Sequence, residues 1–126
     1  MPSLYDHVDV YLDESGDLGF SERSSGCFVI VALATTEPYK LVRVIRKAHR
    51  RFSLVDGAAS EFKFNRSGER LRQFILGGPV KTDSWFAWGG VVKPCVPQRF
   101  RRDREELWQY VAARTMAELS RRTYTK

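Results

Sequence analysis

Three carboxylates within five residues, Asp13-Glu14-Ser15-Gly16-Asp17, form the densest chemical signal in the sequence. The segment before them alternates, with Val8, Val10 and Leu12 on one side and Asp9 and Tyr11 on the other, which is the period of a β-strand. A strand that runs into a turn of acidic residues places carboxylates at the rim of a sheet, where open α/β folds hold ligands. Hard cations such as Mg²⁺ or Mn²⁺ are bound by such oxygens, usually together with water and phosphate. Asp13 and Glu14 are neighbours and point to opposite faces as long as the strand continues. Asp13 shares the side of Asp9 and Tyr11, and Glu14 joins it only where the turn begins at Glu14 itself. The same residue types also make an ordinary soluble turn, and spacing alone leaves that alternative open.

Two further segments carry charge in a usable pattern. Ser60-Glu61-Phe62-Lys63-Phe64-Asn65 alternates, with Phe62 and Phe64 inward and Glu61 and Lys63 outward, as in a short edge strand. Lys63 there can meet a phosphate or simply guard the edge against pairing. From Lys40 to Arg51 the sequence has no acidic residue. At helical spacing Arg43, Arg46, Lys47, Arg50 and Arg51 fall opposite Leu41, Ile45, Ala48 and Phe52. A cationic helix face of this kind suits a phosphate backbone, and it equally suits plain solvent exposure. Arg99, Arg101, Arg102 and Arg104 are diluted by Asp103, Glu105 and Glu106, so pairing along the helix is expected there. His7 and His49 form no metal or triad pattern, and Ser15 lacks the setting of a hydrolase nucleophile. Trp85, Phe86 and Trp88 could stack bases, but their apolar surroundings argue for core positions.

The elements that must position these residues follow from periodicity. Cys27 to Ala34 is short, apolar and rich in β-branched residues, as expected of a central strand buried on both faces. Thr36 and Pro38 open the basic helix. A helix from about Gly68 to Leu76, carrying Leu71, Phe74 and Ile75, is expected to stop at Gly77-Gly78-Pro79. Trp85 to Val92 is a further core strand, with Gly89-Gly90 marking a bulge or close approach. A last helix, from roughly Asp103 to Arg122, buries Trp108, Val111, Ala112, Thr115 and Leu119. This order predicts a single α/β domain over residues 1–126, with a sheet of about four strands and flanking helices.

Composition agrees with that class. Hydrophobic residues make up 43% and charged residues 29%, enough for both a core and a soluble surface. No apolar run approaches the length of a membrane span, and the first residues lack the pattern of a secretory leader. Cys27 and Cys95 have neither zinc-like nor redox spacing, which points to a reducing, cytoplasmic setting. The formal charge of +6 favours anionic partners, nucleic acid first among them.

Tyr11-Leu12-Asp13-Glu14-Ser15-Gly16-Asp17, followed by the apolar run Phe28 to Ala34, resembles the opening of a large prokaryotic family catalogued as domain of unknown function number 3800. Glu61-Phe62-Lys63 is similar to a later Glu-x-Lys motif of that family, and the strand from Trp85 to Lys93 to its next core strand. The resemblance implies an RNase H-like mixed sheet and a divalent-metal-dependent nuclease using Mg²⁺ or Mn²⁺. It marks Asp13 and Glu61 as metal ligands, with Glu14 beside them as a third catalytic carboxylate. Lys63 would contact phosphate, alongside Arg43, Lys47 and Arg50 of the basic helix. Family members usually continue into another strand with an acidic residue and a final helix, and no such unit follows Arg122. A two-metal site needs several carboxylates to hold ions about 4 Å apart. The alternative is therefore a non-catalytic nucleic-acid-binding or interaction module, or a truncated remnant of a nuclease. A sheet without its closing unit is also expected to form a homodimer or to draw on a C-terminal continuation.

Overall fold

The apolar alternation of the sequence resolves into β1 (Asp9–Gly16), β2 (Cys27–Thr35) and β3 (Ser84–Val92), hydrogen-bonded in the order β1-β2-β3 as an antiparallel sheet. Among the described residues the helices are α1 (Pro38–Asp56), α2 (Glu69–Val80), α3 (Gln98–Arg102) and α4 (Arg104–Thr125), with a 3₁₀ turn at Lys93–Cys95. This is a computed structural model, and it describes residues 7–56 and 67–125. The chain is of the α/β class, with three strands among the described residues. The fourth expected strand, residues 60–65, lies outside them. The described residues form two compact units, one running to Ala34 and resuming at Trp85, the other spanning Thr35–Ser84.

In the first unit the two-residue period of the strands decides what is buried. Phe28, Ile30, Ala32 and Ala34 of β2 and Trp85 and Ala87 of β3 are all buried. They pack with Leu107, Val111, Ala112 and Leu119 of α4 and with Phe100 of α3 in two apolar clusters. Each large side chain buried there contributes about 1.5–3 kcal/mol, so the docking of α4 is carried mainly by Leu107, Val111 and Leu119. Leu107 is fully buried, whereas Trp108, the expected stripe residue, is only partly so. Thr115 is also fully buried, and its hydroxyl donates to the Val111 carbonyl at 2.8 Å, which removes the cost of an unpaired polar group. Asp103 starts α4 by accepting the Glu106 N–H at 3.1 Å.

The opposite sheet face differs from expectation. β2 is not buried on both sides: Val31 is 39% exposed, and Phe86, Trp88 and Val92 of β3 are exposed beside it. The physical reason is that α4 covers one face only, and no described element of this unit covers the other. β1 is exposed along Val10, Tyr11 and Leu12. It leaves the sheet through Gly16, whose φ of +84° suits glycine and whose added Cβ would lie 2.3 Å from the Cys27 carbonyl.

In the second unit α1 and α2 pack on each other. Ala48 and Leu71 are buried, and the Phe52 and Phe74 rings lie 5.7 Å apart. Val44 faces α2 where Ile45 was expected, because Gly78 leaves room for it: a Cβ at Gly78 would lie 2.7 Å from Val44. The same contact carries α2 through Gly77-Gly78-Pro79 to Val80 rather than ending it at Leu76. Its carbonyls are then closed by Lys81 and Thr82 N–H groups bonding three residues back, to Gly78 and Pro79. At the start of α1 the Glu37 N–H bonds to the Thr35 hydroxyl at 3.0 Å, while the Thr36 hydroxyl instead donates to Asp83 at 2.6 Å.

Candidate functional site

β1 remains regular through Gly16, so Asp13 and Glu14 stay on opposite faces. Asp13 is exposed, and its Oδ1 accepts the Glu14 N–H at 2.9 Å. Glu14 turns towards α4, where its Oε2 accepts the Trp108 indole N–H at 2.6 Å. The two side chains are therefore not brought together. Asp17 is committed as well. Its Oδ1 accepts from the Lys93 ammonium at 2.7 Å and the Gly19 N–H at 2.9 Å, and its Oδ2 accepts the Ser25 N–H at 3.0 Å. The hydrogen bond from Lys93, then those from Ser25 and Gly19, hold its carboxyl well below the usual range.

Lys93 is the buried partner in this arrangement, with its side chain 7% exposed. It also donates to the Gly19 carbonyl and to the Ser25 hydroxyl. The Phe20 ring lies between Lys93 and Arg101, at 5.5 Å and 5.3 Å. Arg101 in turn donates to the carbonyls of Val96 and Lys93, both at 3.1 Å. Sequence reading missed this lock, although a lysine closing an apolar strand was its signal: an ammonium entering a core must find a carboxylate.

Glu61 and Lys63 lie outside the described residues. Among the described residues no three His, Cys, Asp or Glu side chains gather to hold a cation. Asp13 alone of the three motif carboxylates keeps oxygens facing solvent without a side-chain donor. A divalent ion at Asp13 would need further oxygen ligands from outside the described residues.

The cations of α1 form a better-defined site. Arg43, Arg46, Lys47 and Arg50 stand at i, i+3, i+4 and i+7, which places them on one stripe. All four are exposed and, with His49, line a shallow depression of about 570 Å³. No carboxylate among the described residues pairs with them. The two other cations of the helix are engaged differently. Lys40 is bound to Glu37 at 2.5 Å, and Arg51 stacks over Phe52 and Phe74 at 5.7 and 5.6 Å. Arg51 thus leaves the basic stripe to which its position in the sequence assigned it.

The aromatic strand divides in the same way. Trp85 is buried and donates its indole N–H to Thr123 at 2.8 Å, as expected of a core residue. Phe86 and Trp88 are 43% and 65% exposed, contrary to the expectation that all three are core. Comparison with protein-family models, with curated proteins and with solved structures found no match to this chain.

Proposed function

We propose that this protein binds nucleic acid, and that α1 contacts the phosphate backbone through Arg43, Arg46, Lys47 and Arg50. The observation that carries this is four exposed cations on one helical stripe without a carboxylate partner among the described residues. A solvated face of a stable helix usually interleaves acids, because like charges at i,i+4 destabilise it. A net charge of +6 draws a polyanion towards the molecule from a distance. No helix among the described residues is long and apolar enough to cross a membrane. The test is the binding of a labelled oligonucleotide, single-stranded and duplex, by the protein and by its R43A/K47A/R50A variant over a range of salt.

A second reading, phosphodiester hydrolysis with Mg²⁺ or Mn²⁺, is favoured by one observation: the exposed carboxylate of Asp13 within β1. It rests on the resemblance of the Asp13–Asp17 motif and on Glu61 acting as a second ligand. Under this reading the protein cleaves nucleic acid with Mn²⁺, and Asp13→Asn abolishes cleavage while leaving binding intact. Metal at tenfold its dissociation constant would stabilise the fold by about 1.4 kcal/mol, raising the melting temperature by roughly 4–6 °C. Asp13→Ala removes that rise. Cleavage that survives Asp13→Asn, or an unchanged metal shift in Asp13→Ala, refutes the role of Asp13.

A further inference from the structure

β3 ends the sheet, so its outer edge pairs with no described strand. Along that edge a groove of about 610 Å³ lies between β3 and α4, with Trp88, Tyr110, Arg114, Glu118, Arg121 and Arg122 among the residues that line it. Its chemistry has two components. Trp88 and Tyr110, which line it, are 65% and 43% exposed. The three arginines outnumber the single carboxylate. Glu118 engages Arg121 at 2.6 Å and Arg122 at 3.0 Å, and Arg114 is exposed with no carboxylate partner among the described residues.

We infer that this groove binds single-stranded nucleic acid, with phosphates against Arg114, Arg121 and Arg122 and unpaired bases stacked on Trp88 and Tyr110. Aromatic faces interleaved with cations are what a single strand requires, because each of its bases offers an open π-face that a duplex keeps covered. An apolar protein partner would have to desolvate the arginines without supplying counter-charge. A peptide adding a strand would need the free carbonyls of the edge, and the Phe86 carbonyl already accepts from Arg122 at 2.9 Å. The inference stands on the first unit alone and does not depend on the role proposed for α1.

The experiment titrates the full-length chain into a fluorescein-labelled oligothymidylate and into a duplex of equal length. Trp88→Ala is expected to weaken single-strand binding about 5- to 100-fold, the loss of one stacked base. Duplex binding should change by less than twofold, and Trp88→Phe should keep most of the affinity. Oligothymidylate should also quench tryptophan fluorescence in the wild type and much less in Trp88→Ala, since Trp85 is buried and Trp108, bonded to Glu14, does not line the groove. At saturating oligothymidylate the quench should persist in R43A/K47A/R50A whether or not that variant binds more weakly, so failure of the α1 proposal is separable. A change under twofold for single strands in Trp88→Ala overturns the inference, as does an equal loss for both nucleic acids. A drop in sedimentation mass in Trp88→Ala would assign the edge to self-association and would also overturn it.

Discussion

Replacing Arg43, Lys47 and Arg50 together by alanine removes three of the four cations on the α1 stripe, and the size of the effect can be worked out. Each phosphate neutralised releases condensed counterions, so the logarithm of affinity falls with the logarithm of salt by about 0.9 per contact for duplex and 0.7 for single strands. The four α1 contacts contribute about −3.6 to the slope on duplex and −2.8 on a single strand, of which the variant keeps about −0.9 and −0.7. Extrapolated from 1 M to 0.1 M salt, the three lost contacts amount to about 500-fold in duplex affinity and about 100-fold on a single strand. Alanine has the highest helix propensity, and losing like charges at i,i+4 relieves repulsion, so the helix itself should not suffer. Arg43 also gives up its position over the Tyr39 ring, 6.0 Å away, but at an exposed site that contact is worth little. The assay is fluorescence anisotropy at several salt concentrations, with thermal melting as the control. An unchanged slope with an unchanged melting temperature would refute the claim that these cations meet phosphate. A reduced slope with a lower melting temperature would attribute the loss to unfolding.

Other perturbations test the scaffold. A Cβ at Gly89 would lie 2.6 Å from the buried Thr115 hydroxyl, so Gly89→Ala should cost about 1–3 kcal/mol in urea unfolding. Combined with Thr115→Ala the two losses should be less than additive, because the clash is then gone; strict additivity would refute the close approach. The depressed carboxyls of Asp17 and Glu118 contribute stability that is full above their ordinary values of 3.8 and 4.5. That stability is lost as pH falls, down to about 2 for Glu118 and lower still for Asp17, since their protonation then competes with folding. Lys93→Met should lower the melting temperature at neutral pH and flatten its decline below pH 4, whereas Asp13→Asn should leave the acid limb unchanged, as followed by circular dichroism.

What was legible in the sequence was local. The three described strands follow from alternation and apolar runs, although β1 continues to Gly16 through the acidic residues expected to end it at Leu12, and the basic stripe of α1 follows from spacing alone, because both depend on periods of two and 3.6 residues. What was not legible depends on partners remote in sequence. Gly77-Gly78-Pro79 reads as a helix stop, and it became helix because Val44 lies against Gly78. Val44 replaced Ile45 on the packed face for the same reason. Trp85, Phe86 and Trp88 are equally apolar in sequence, and only the one-sided docking of α4 decides that Trp85 is buried while the other two are exposed. Leu107 was overlooked in favour of Trp108, since periodicity locates the stripe to within one residue and the capped start of α4 sets its phase.

The acidic motif shows why residue type is a weaker guide to chemistry than geometry. Its members read as one cluster of ligands, yet the fold gives them separate tasks. Glu14 holds the indole of α4, Gly16 takes the positive φ that ends β1, and Asp17 neutralises the buried ammonium of Lys93. An ammonium only 7% exposed would be costly without a carboxylate, so Asp17 cannot serve a second cation without leaving Lys93 unpaired. Asp13 is left with its oxygens facing water, and as the one uncommitted carboxylate of the motif it cannot by itself clamp two metal ions. The α1 stripe has the reverse character: among the described residues no carboxylate pairs with its cations, so removing them should change binding without changing stability. Loss of Glu14 or Asp17 should therefore lower the melting temperature and loss of the stripe should not, so the same melting curve distinguishes them. That contrast is why the basic surface, rather than the acidic cluster, carries the proposed function.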